Sequence, residues 1–426
     1  MINLTPLSTP LKGTIEAPGD KSISHRSIIL GALAKGITTV ENILLAEDCN
    51  RTIECFKRLG VSISYENEKI VIKGEGPILK EPKEPLYFGN SGTTARLMLG
   101  VLAGQPFFTS VYGDKYLSKR PMKRVVKPLE LMGANIDGRC NGQFLPLSIK
   151  ASELKSIRYK MPVDSAQVKS AILLASLYAK GNSTVIEGGI TRNHTENMLK
   201  AFGANVEIKA NEITLKSNNL IGANIFVPGD ISSAAFFIVA ALIVPNSLIT
   251  IKNVNLNETR TGILTIIKQM GATYEISNRT MVNNEAMGDI TIKHQSLFGT
   301  VIEGDLIPLL IDELPIIALL ATQCEGQTII RNAEELRVKE TDRIKATVQT
   351  LNALGAEVIE ARDGMIIQGK TSLLGGKVKS FYDHRIAMMA VIASFICENN
   401  VLIDELNSIN ISYPSFLKDL KTLTEH

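Results

Sequence analysis

The sequence has no tryptophan, and aromatic residues make up only 5% of its 426 positions. Few rings are therefore available to stack on bases. The 46 Lys plus Arg against 43 Asp plus Glu leave a formal charge of only +3, so no polyanion-binding field is expected and nucleic acid is not an expected partner. Cysteine is scarce too: Cys49, Cys55, Cys140, Cys324 and Cys397 are odd in number, far apart and without C-x-x-C spacing. That pattern implies neither a disulfide framework nor a zinc site and fits a reducing cytoplasm, the expected location. Five scattered histidines offer no ligand cluster, and no G-x-G-x-x-G, H-E-x-x-H or EF-hand loop occurs, so neither metal nor cofactor is expected.

Long apolar runs are missing as well. Ala234 to Val244 and Ile386 to Cys397 fall well short of the roughly 20 residues that cross a bilayer. Both are expected as buried helices, and no membrane partner is expected. The stretch from Met1 to Gly13 carries one cation, Lys12, and no continuous apolar core, so it does not read as a secretory signal. No low-complexity tract or Gly/Ser linker marks a boundary, yet 45% apolar residues over this length suffice for two or more compact domains. The boundary must be sought in repetition.

Repetition is present. APGDKSISHRSIILGAL from Ala17 and VPGDISSAAFFIVAAL from Val227 place the same strand end, Pro-Gly-Asp turn and small-residue helix a little over two hundred residues apart. A helix ending in glycine before a strand recurs at Gly60, Gly133, Gly203, Gly271 and Gly355, spaced by 73, 70, 68 and 84 residues. Glycine suits the left-handed C-cap those endings need. Between them, alanine-rich helices open at Gly92, Ser165, Asp312 and Asp383. Six units of helix, strand, helix and strands are expected, three before Pro228 and three after, closed into two α/β domains. Polar residues collect where each first helix starts, and free N–H groups there favour anions.

In the first unit, Lys21, Ser22, Ser24, His25 and Arg26 pack an ammonium, hydroxyls and a guanidinium fork into one turn-to-helix junction, which suits a phosphate or carboxylate. Asn90-Ser91-Gly92-Thr93-Thr94-Ala95-Arg96 is a second such start, with glycine admitting a ligand close to the backbone. Six cations lie between Lys115 and Lys127, with Pro121 after Arg120; most are expected on a solvated helix face. Asp312 and Glu313 interrupt the apolar run LIPLLIDELPIIALL. A carboxylate there, Asp312 above all, is expected to be desolvated, with its pKa raised toward that of a useful base, unless it caps the helix or meets a cation. Arg337 to Arg343 and Asp383-His384-Arg385 mix cations with acids. Gly364 to Thr371 satisfies G-x-x-x-x-G-K-[ST] literally, but its strand-like interior after Asp363-Gly364 predicts a hairpin instead of a nucleotide loop.

Together GDKSISHR, GNSGTTAR, KRPM, DSAQVKSA, DELP, KETDR and YDHR, in that order along the chain, resemble the 5-enolpyruvylshikimate-3-phosphate synthase family, in particular its second class. The resemblance implies an α/β fold (α+β in some schemes) of two inside-out barrels, each of three βαβαββ units. It places 18–228 in one domain, with the main shikimate 3-phosphate grip. The other domain is 1–17 plus 229–426, with the acid/base and phosphoenolpyruvate groups. It implies transfer of the enolpyruvyl group of phosphoenolpyruvate to the 5-hydroxyl of shikimate 3-phosphate on the way to chorismate, in a monomer that closes over its substrates.

By that resemblance Lys21, Ser22, Arg26, Ser165, Gln167, Arg192, Asp312 and Lys339 would contact shikimate 3-phosphate. Lys21, Gly92, Arg120, Gln167, Arg343 and Arg385 would contact phosphoenolpyruvate, and Asp312, Glu340 and Lys21 would be catalytic. Ala166 and Ile411 stand where first-class members carry a serine and a lysine. The rivals are the sister enzyme acting on UDP-N-acetylglucosamine and, from another class, an RNA-binding or RNA-end-processing protein of similar α/β repeats. The sister usually has a cysteine before its Arg-Pro, which Val111 to Arg124 lacks, and an asparagine where Ser22 stands. Near-neutral charge and sparse aromatics oppose the RNA reading.

Overall fold

Five glycines end five helices in the same way. In the computed structural model, which describes residues 1–216 and 219–425, Gly60, Gly133, Gly203, Gly271 and Gly355 all have positive φ, between 86° and 99°. After helix Glu47–Arg58 the Gly60 amide donates to Lys57 and the Val61 amide to Phe56. The same bond pair follows the other four glycines. This double bond satisfies carbonyls that the helix would otherwise leave open and turns the chain into a strand.

Among the described residues those strands build five four-stranded sheets of one design. In the first, Lys35–Glu41 lies between Asn224–Phe226, parallel to it, and Lys69–Glu75, antiparallel, with Ser62–Glu66 outermost. The sheets centred on Thr109–Tyr112, Ser183–Ile186, Leu248–Asn255 and Gly326–Ile330 repeat that order. The sixth departs from the six equal units expected. Val401–Ile403 has Gly376–Val378 parallel on one side, but on the other it pairs with Ile2–Leu4 at the opposite end of the chain. After Ile403 the chain forms helical segments Asn407–Ile411 and Phe416–Thr424, so the last repeat has no hairpin of its own.

The chain divides into two compact units. Unit A comprises Gly19–Val227 with Met281–Glu285, and unit B comprises Met1–Pro18, Pro228–Thr280 and the chain from Ala286 onward. The divisions at the repeated turn fall between Pro18 and Gly19 and between Val227 and Pro228. Strand Lys12–Glu16 pairs with Leu248–Asn255 in unit B, while the helix that follows it, Lys21–Leu33, lies in unit A. Asn224–Phe226 and Ile231–Ile243 are split the opposite way. The short segment Met281–Glu285 has no signal in the sequence. Its Glu285 accepts from Asn197 at 3.2 Å and lies 2.9 Å from His194 Nδ1.

Each unit has its own apolar core. Unit A packs helices Lys21–Leu33, Gly92–Leu102 and Ala166–Ser176, and unit B packs Ile231–Ile243, Leu314–Thr322 and His384–Ser394. All three helices of unit B are buried along their whole length. Neither continuous apolar run is long enough to span a bilayer, and among the described residues no helix is long and apolar enough to do so. The nucleotide-loop match is a hairpin: Glu357–Ala361 pairs antiparallel with Gly364–Gly369. Cys49, Cys55, Cys324 and Cys397 are buried free thiols, and Cys140 is an exposed one.

Candidate active site

In unit A the three buried helices begin at side-chain caps, because Asp or Ser oxygens satisfy amides that the first turn cannot. Asp20 accepts from the Ile23 amide at 2.9 Å, Ser91 from Thr94 at 3.1 Å and Ser165 from Val168 at 3.5 Å. Lys21, half-buried, forms an ion pair with Asp48. Behind it His25 Nδ1 lies 2.8 Å from Thr52 Oγ1, which lies 2.8 Å from Thr94 Oγ1. Burial, then the charges of Lys21 and Arg26, push the His25 pKa well below its ordinary value. The imidazole is thus neutral beside two cations.

Arg26 is 4% exposed. It donates from Nε to Thr195 Oγ1 at 2.7 Å, from Nη2 to Ser170 Oγ at 2.7 Å and from Nη1 to the Ser22 carbonyl at 2.9 Å. Burial pulls its pKa down to about 10, against the opposing pull of Glu196 and Asp20. Arg192, half-buried, is near enough to lower it further.

The second helix start surrounds Gly92. A Cβ there would stand 3.0 Å from Arg96 Nη1 and 3.1 Å from Arg120 Nη1, so glycine leaves both guanidinium groups against the backbone. Arg96 donates to Gln167 Oε1 at 2.6 Å, and Gln167 Nε2 donates to Thr93 Oγ1 at 3.2 Å. Gly92, Arg120, Gln167 and the Ser165 cap therefore share one cluster of helix starts, with Ser165 and Gln167 half-buried. Of the six cations between Lys115 and Lys127, Lys115, Lys119 and Lys127 are exposed. Arg120 separates from them because Leu117–Lys119 is a single 3-10 turn that ends there, before Pro121.

Unit B gathers opposite charges around one guanidinium. Arg343, 2% exposed, donates from Nε to Asp383 Oδ2 at 2.8 Å, from Nη2 to Glu340 Oε2 at 2.7 Å and from Nη1 to Asp312 Oδ1 at 3.2 Å. Burial alone would lower its pKa, but the charges of Asp383, Glu340 and Asp312 outweigh that and raise it. Lys339 Nζ stands 3.3 Å from the same Asp312 oxygen. Arg385 donates to the Ser232 carbonyl at 2.8 Å and lies over the Phe236 ring.

Of the outcomes its apolar flanks allow, Asp312 takes the meeting with cations and is not the helix cap. It lies in the turn before helix Leu314–Thr322, remains partly exposed and meets Lys339 and Arg343. The desolvation falls one residue later, on Glu313, which is 0% exposed. Glu313 accepts a bond from Ser232 Oγ and lies 3.8 Å from Arg260 Nη2. A hydrophobic run marks a helix, but a turn immediately before it decides which carboxylate faces inward.

Several residues escape sequence reasoning. Asp48 follows Glu47 in an otherwise ordinary segment, and Thr195 is separated from the neighbours Lys169 and Ser170 by more than twenty residues before the fold joins them. Lys169, 0% exposed, pairs with Glu196 at 2.6 Å and Glu187 at 2.9 Å. The usable signal was a lysine inside the apolar stretch VKSAILLAS, which is rarely buried unpaired. Among the described residues no group of three His, Cys, Asp or Glu side chains could hold a metal ion.

Chemically, unit A offers hydroxyls, amides and cations for oxyanions, while unit B offers carboxylates held by cations for moving protons. Comparison with known proteins gives this arrangement a family. The sequence pattern of EPSP synthase (3-phosphoshikimate 1-carboxyvinyltransferase) matches residues 7–420. The chain is 57% identical over 422 residues to the 3-phosphoshikimate 1-carboxyvinyltransferase of Oceanobacillus iheyensis, covering 99% of this chain and 98% of that one. It superposes on the EPSP synthase of Acinetobacter baumannii with a TM-score of 0.89 at 42% identity, over 99% of this chain and 97% of the other. The enolpyruvyl transferase NikO of Streptomyces tendae shares the fold, with a TM-score of 0.81 at 15% identity over 99% and 96% of the two chains. With the pattern matched almost end to end and the backbone shared throughout, the chain belongs to the EPSP synthase (3-phosphoshikimate 1-carboxyvinyltransferase) family.

Proposed function

We propose that this enzyme transfers the enolpyruvyl group of phosphoenolpyruvate to the 5-hydroxyl of shikimate 3-phosphate by addition and elimination. The observation that supports the residue roles is the clasp of Asp312 and Glu340 on Arg343, 3.2 and 2.7 Å from its terminal nitrogens. It keeps two proton-handling carboxylates beside one fixed cation. In the addition, the 5-hydroxyl oxygen bonds to C2 of phosphoenolpyruvate and its proton passes to Asp312. The methylene carbon takes a proton from Glu340, with the Lys21 ammonium as the second source, and becomes a methyl group. In the elimination, the C2–O bond to phosphate breaks with its electron pair. A methyl proton returns to Glu340 and the double bond re-forms.

Shikimate 3-phosphate is held by Lys21, Ser22, Arg26, Ser165, Gln167, Arg192, Asp312 and Lys339. Phosphoenolpyruvate is held by Lys21, Arg120, Gln167, Arg343 and Arg385, with the Gly92 backbone admitting it closely. Glu340→Gln keeps the shape of the side chain but removes its transferable proton. It should lower kcat about 10²-fold or more with shikimate 3-phosphate affinity nearly unchanged. Calorimetric titration and phosphate-release kinetics check both. Strong heat from UDP-N-acetylglucosamine and none from shikimate 3-phosphate would reverse the substrate assignment, and an unchanged kcat in Glu340→Gln would remove Glu340 from the proton path.

A further inference from the structure

The bonds around Arg26 have a definite proton direction. Ser170 donates its hydroxyl proton to the Ala166 carbonyl at 2.6 Å, so the 2.6 Å contact between Ser170 and Thr195 must carry the Thr195 proton toward Ser170. Both hydroxyl oxygens then accept from Arg26, one from Nε and one from Nη2. With Nη1 donating to Ser22, three of the five guanidinium N–H groups are engaged. One N–H on each terminal nitrogen is left for an oxyanion.

The clamp is neutral, which distinguishes it from the setting of Arg343, also buried. Asp383 meets Arg343 with both oxygens and discharges it, whereas hydroxyls orient a guanidinium and leave its charge for a ligand. Of the acids whose charge reaches Arg26, Glu196 is engaged by Lys169 at 2.6 Å, Asp20 accepts from the Ile23 amide, and Glu285 lies 2.9 Å from His194 Nδ1. The Lys169–Glu196 ion pair sits one residue from each clamp hydroxyl: Lys169 precedes Ser170, and Glu196 follows Thr195. It ties helix Ala166–Ser176 to the first turn of His194–Ala201.

We infer that Thr195 and Ser170, braced by Lys169 and Glu196, are positioning residues that fix Arg26 to grip an oxyanion of shikimate 3-phosphate; the inference rests on the function proposed above. The test is calorimetric titration of the full chain with shikimate 3-phosphate, beside steady-state kinetics and melting curves. Thr195→Val should raise Kd for shikimate 3-phosphate about 10-fold, with saturated kcat within about threefold and KM for phosphoenolpyruvate within about twofold. Thr195→Ser, which keeps the hydroxyl, should restore affinity to within about threefold of the parent. In an Arg26→Lys background Thr195→Val should add less than about twofold, because the clamped group is gone.

A folded Thr195→Val with parental Kd, a Thr195→Ser as weak as Thr195→Val, or equal losses in both backgrounds would each overturn the clamp. If Thr195→Val does not fold, Ser170→Ala is read by the same criteria. A parent protein that binds no shikimate 3-phosphate overturns the function and the clamp with it. A parent that binds beside variants that are unaffected overturns the clamp alone.

Discussion

Units A and B repeat one scaffold and place opposite chemistry on it. Each has three buried helices, the same strand order in its four-stranded sheets and the same glycine-capped turns. At the helix starts of unit A, the arginine Arg26 is met by hydroxyls and a carbonyl. In unit B, the arginine Arg343 is met by three carboxylates. A repeated backbone therefore does not dictate what its tips do. The sign and neutralisation of a few side chains set the labour proposed for each unit, oxyanion grip in one and proton handling in the other.

The largest effect that sharpens this contrast comes from removing a buried cation in each unit. Arg343→Met strands Asp383, which is fully buried, and should cost about 3–5 kcal/mol of stability. It should also lower kcat by about 10³-fold or more if, as proposed, Arg343 is a fixed cation for phosphoenolpyruvate. Lys169→Met strands Glu196 and Glu187, for a similar stability loss of about 3–5 kcal/mol. Its saturated kcat should stay within about threefold while affinity for shikimate 3-phosphate falls. Urea denaturation and steady-state kinetics separate the two quantities, and a Lys169→Met enzyme as dead as Arg343→Met would break the division between the units.

An intermediate effect is specific to unit A. The native pKa of His25 lies well below its ordinary value, through burial first and the neighbouring charges of Lys21 and Arg26 second. Below about pH 6.5 the unfolded chain takes up a proton that the native site refuses. The stabilisation from this neutral histidine is therefore complete above that pH. It is lost as pH falls toward the native pKa, by up to about 1.4 kcal/mol per pH unit. Hydrogen exchange in unit A should show its opening energy dropping between pH 7 and 5, and His25→Gln should flatten that drop. Equal slopes in parent and variant would contradict the neutral imidazole.

The smallest effect tests the shared scaffold. Gly203 in unit A and Gly271 in unit B have φ of 86° and 98°. A Cβ meets nothing within 4 Å at Gly203, and only the Phe298 ring at 3.6 Å or beyond at Gly271. Alanine at either should cost about 1–2 kcal/mol, from the left-handed backbone alone. Matched losses in urea midpoints support equivalent caps, whereas a clear gap would show that the repeats carry unequal load.

Repetition and spacing made much of this legible in advance. The two Pro-Gly-Asp turns, the five glycine caps and the two apolar runs state local requirements, namely a left-handed residue after a helix and a fully buried helix, that need no distant partner. The residues proposed to act at helix starts were visible for the same reason, because Lys21, Gly92, Ser165 and Arg343 sit where capping and anion affinity concentrate polar groups. Tertiary structure decided what local rules leave open. It replaced the sixth hairpin by Ile2–Leu4, since a strand edge can be filled from anywhere in the chain. It turned Glu313 inward and left Asp312 with Lys339 and Arg343, because burial of a carboxylate depends on the turn that carries it and on cations supplied by other segments. It also joined Arg26 to Thr195, 169 positions away, a contact with no sequence period because hydrogen bonds between side chains are set by packing and not by separation along the chain.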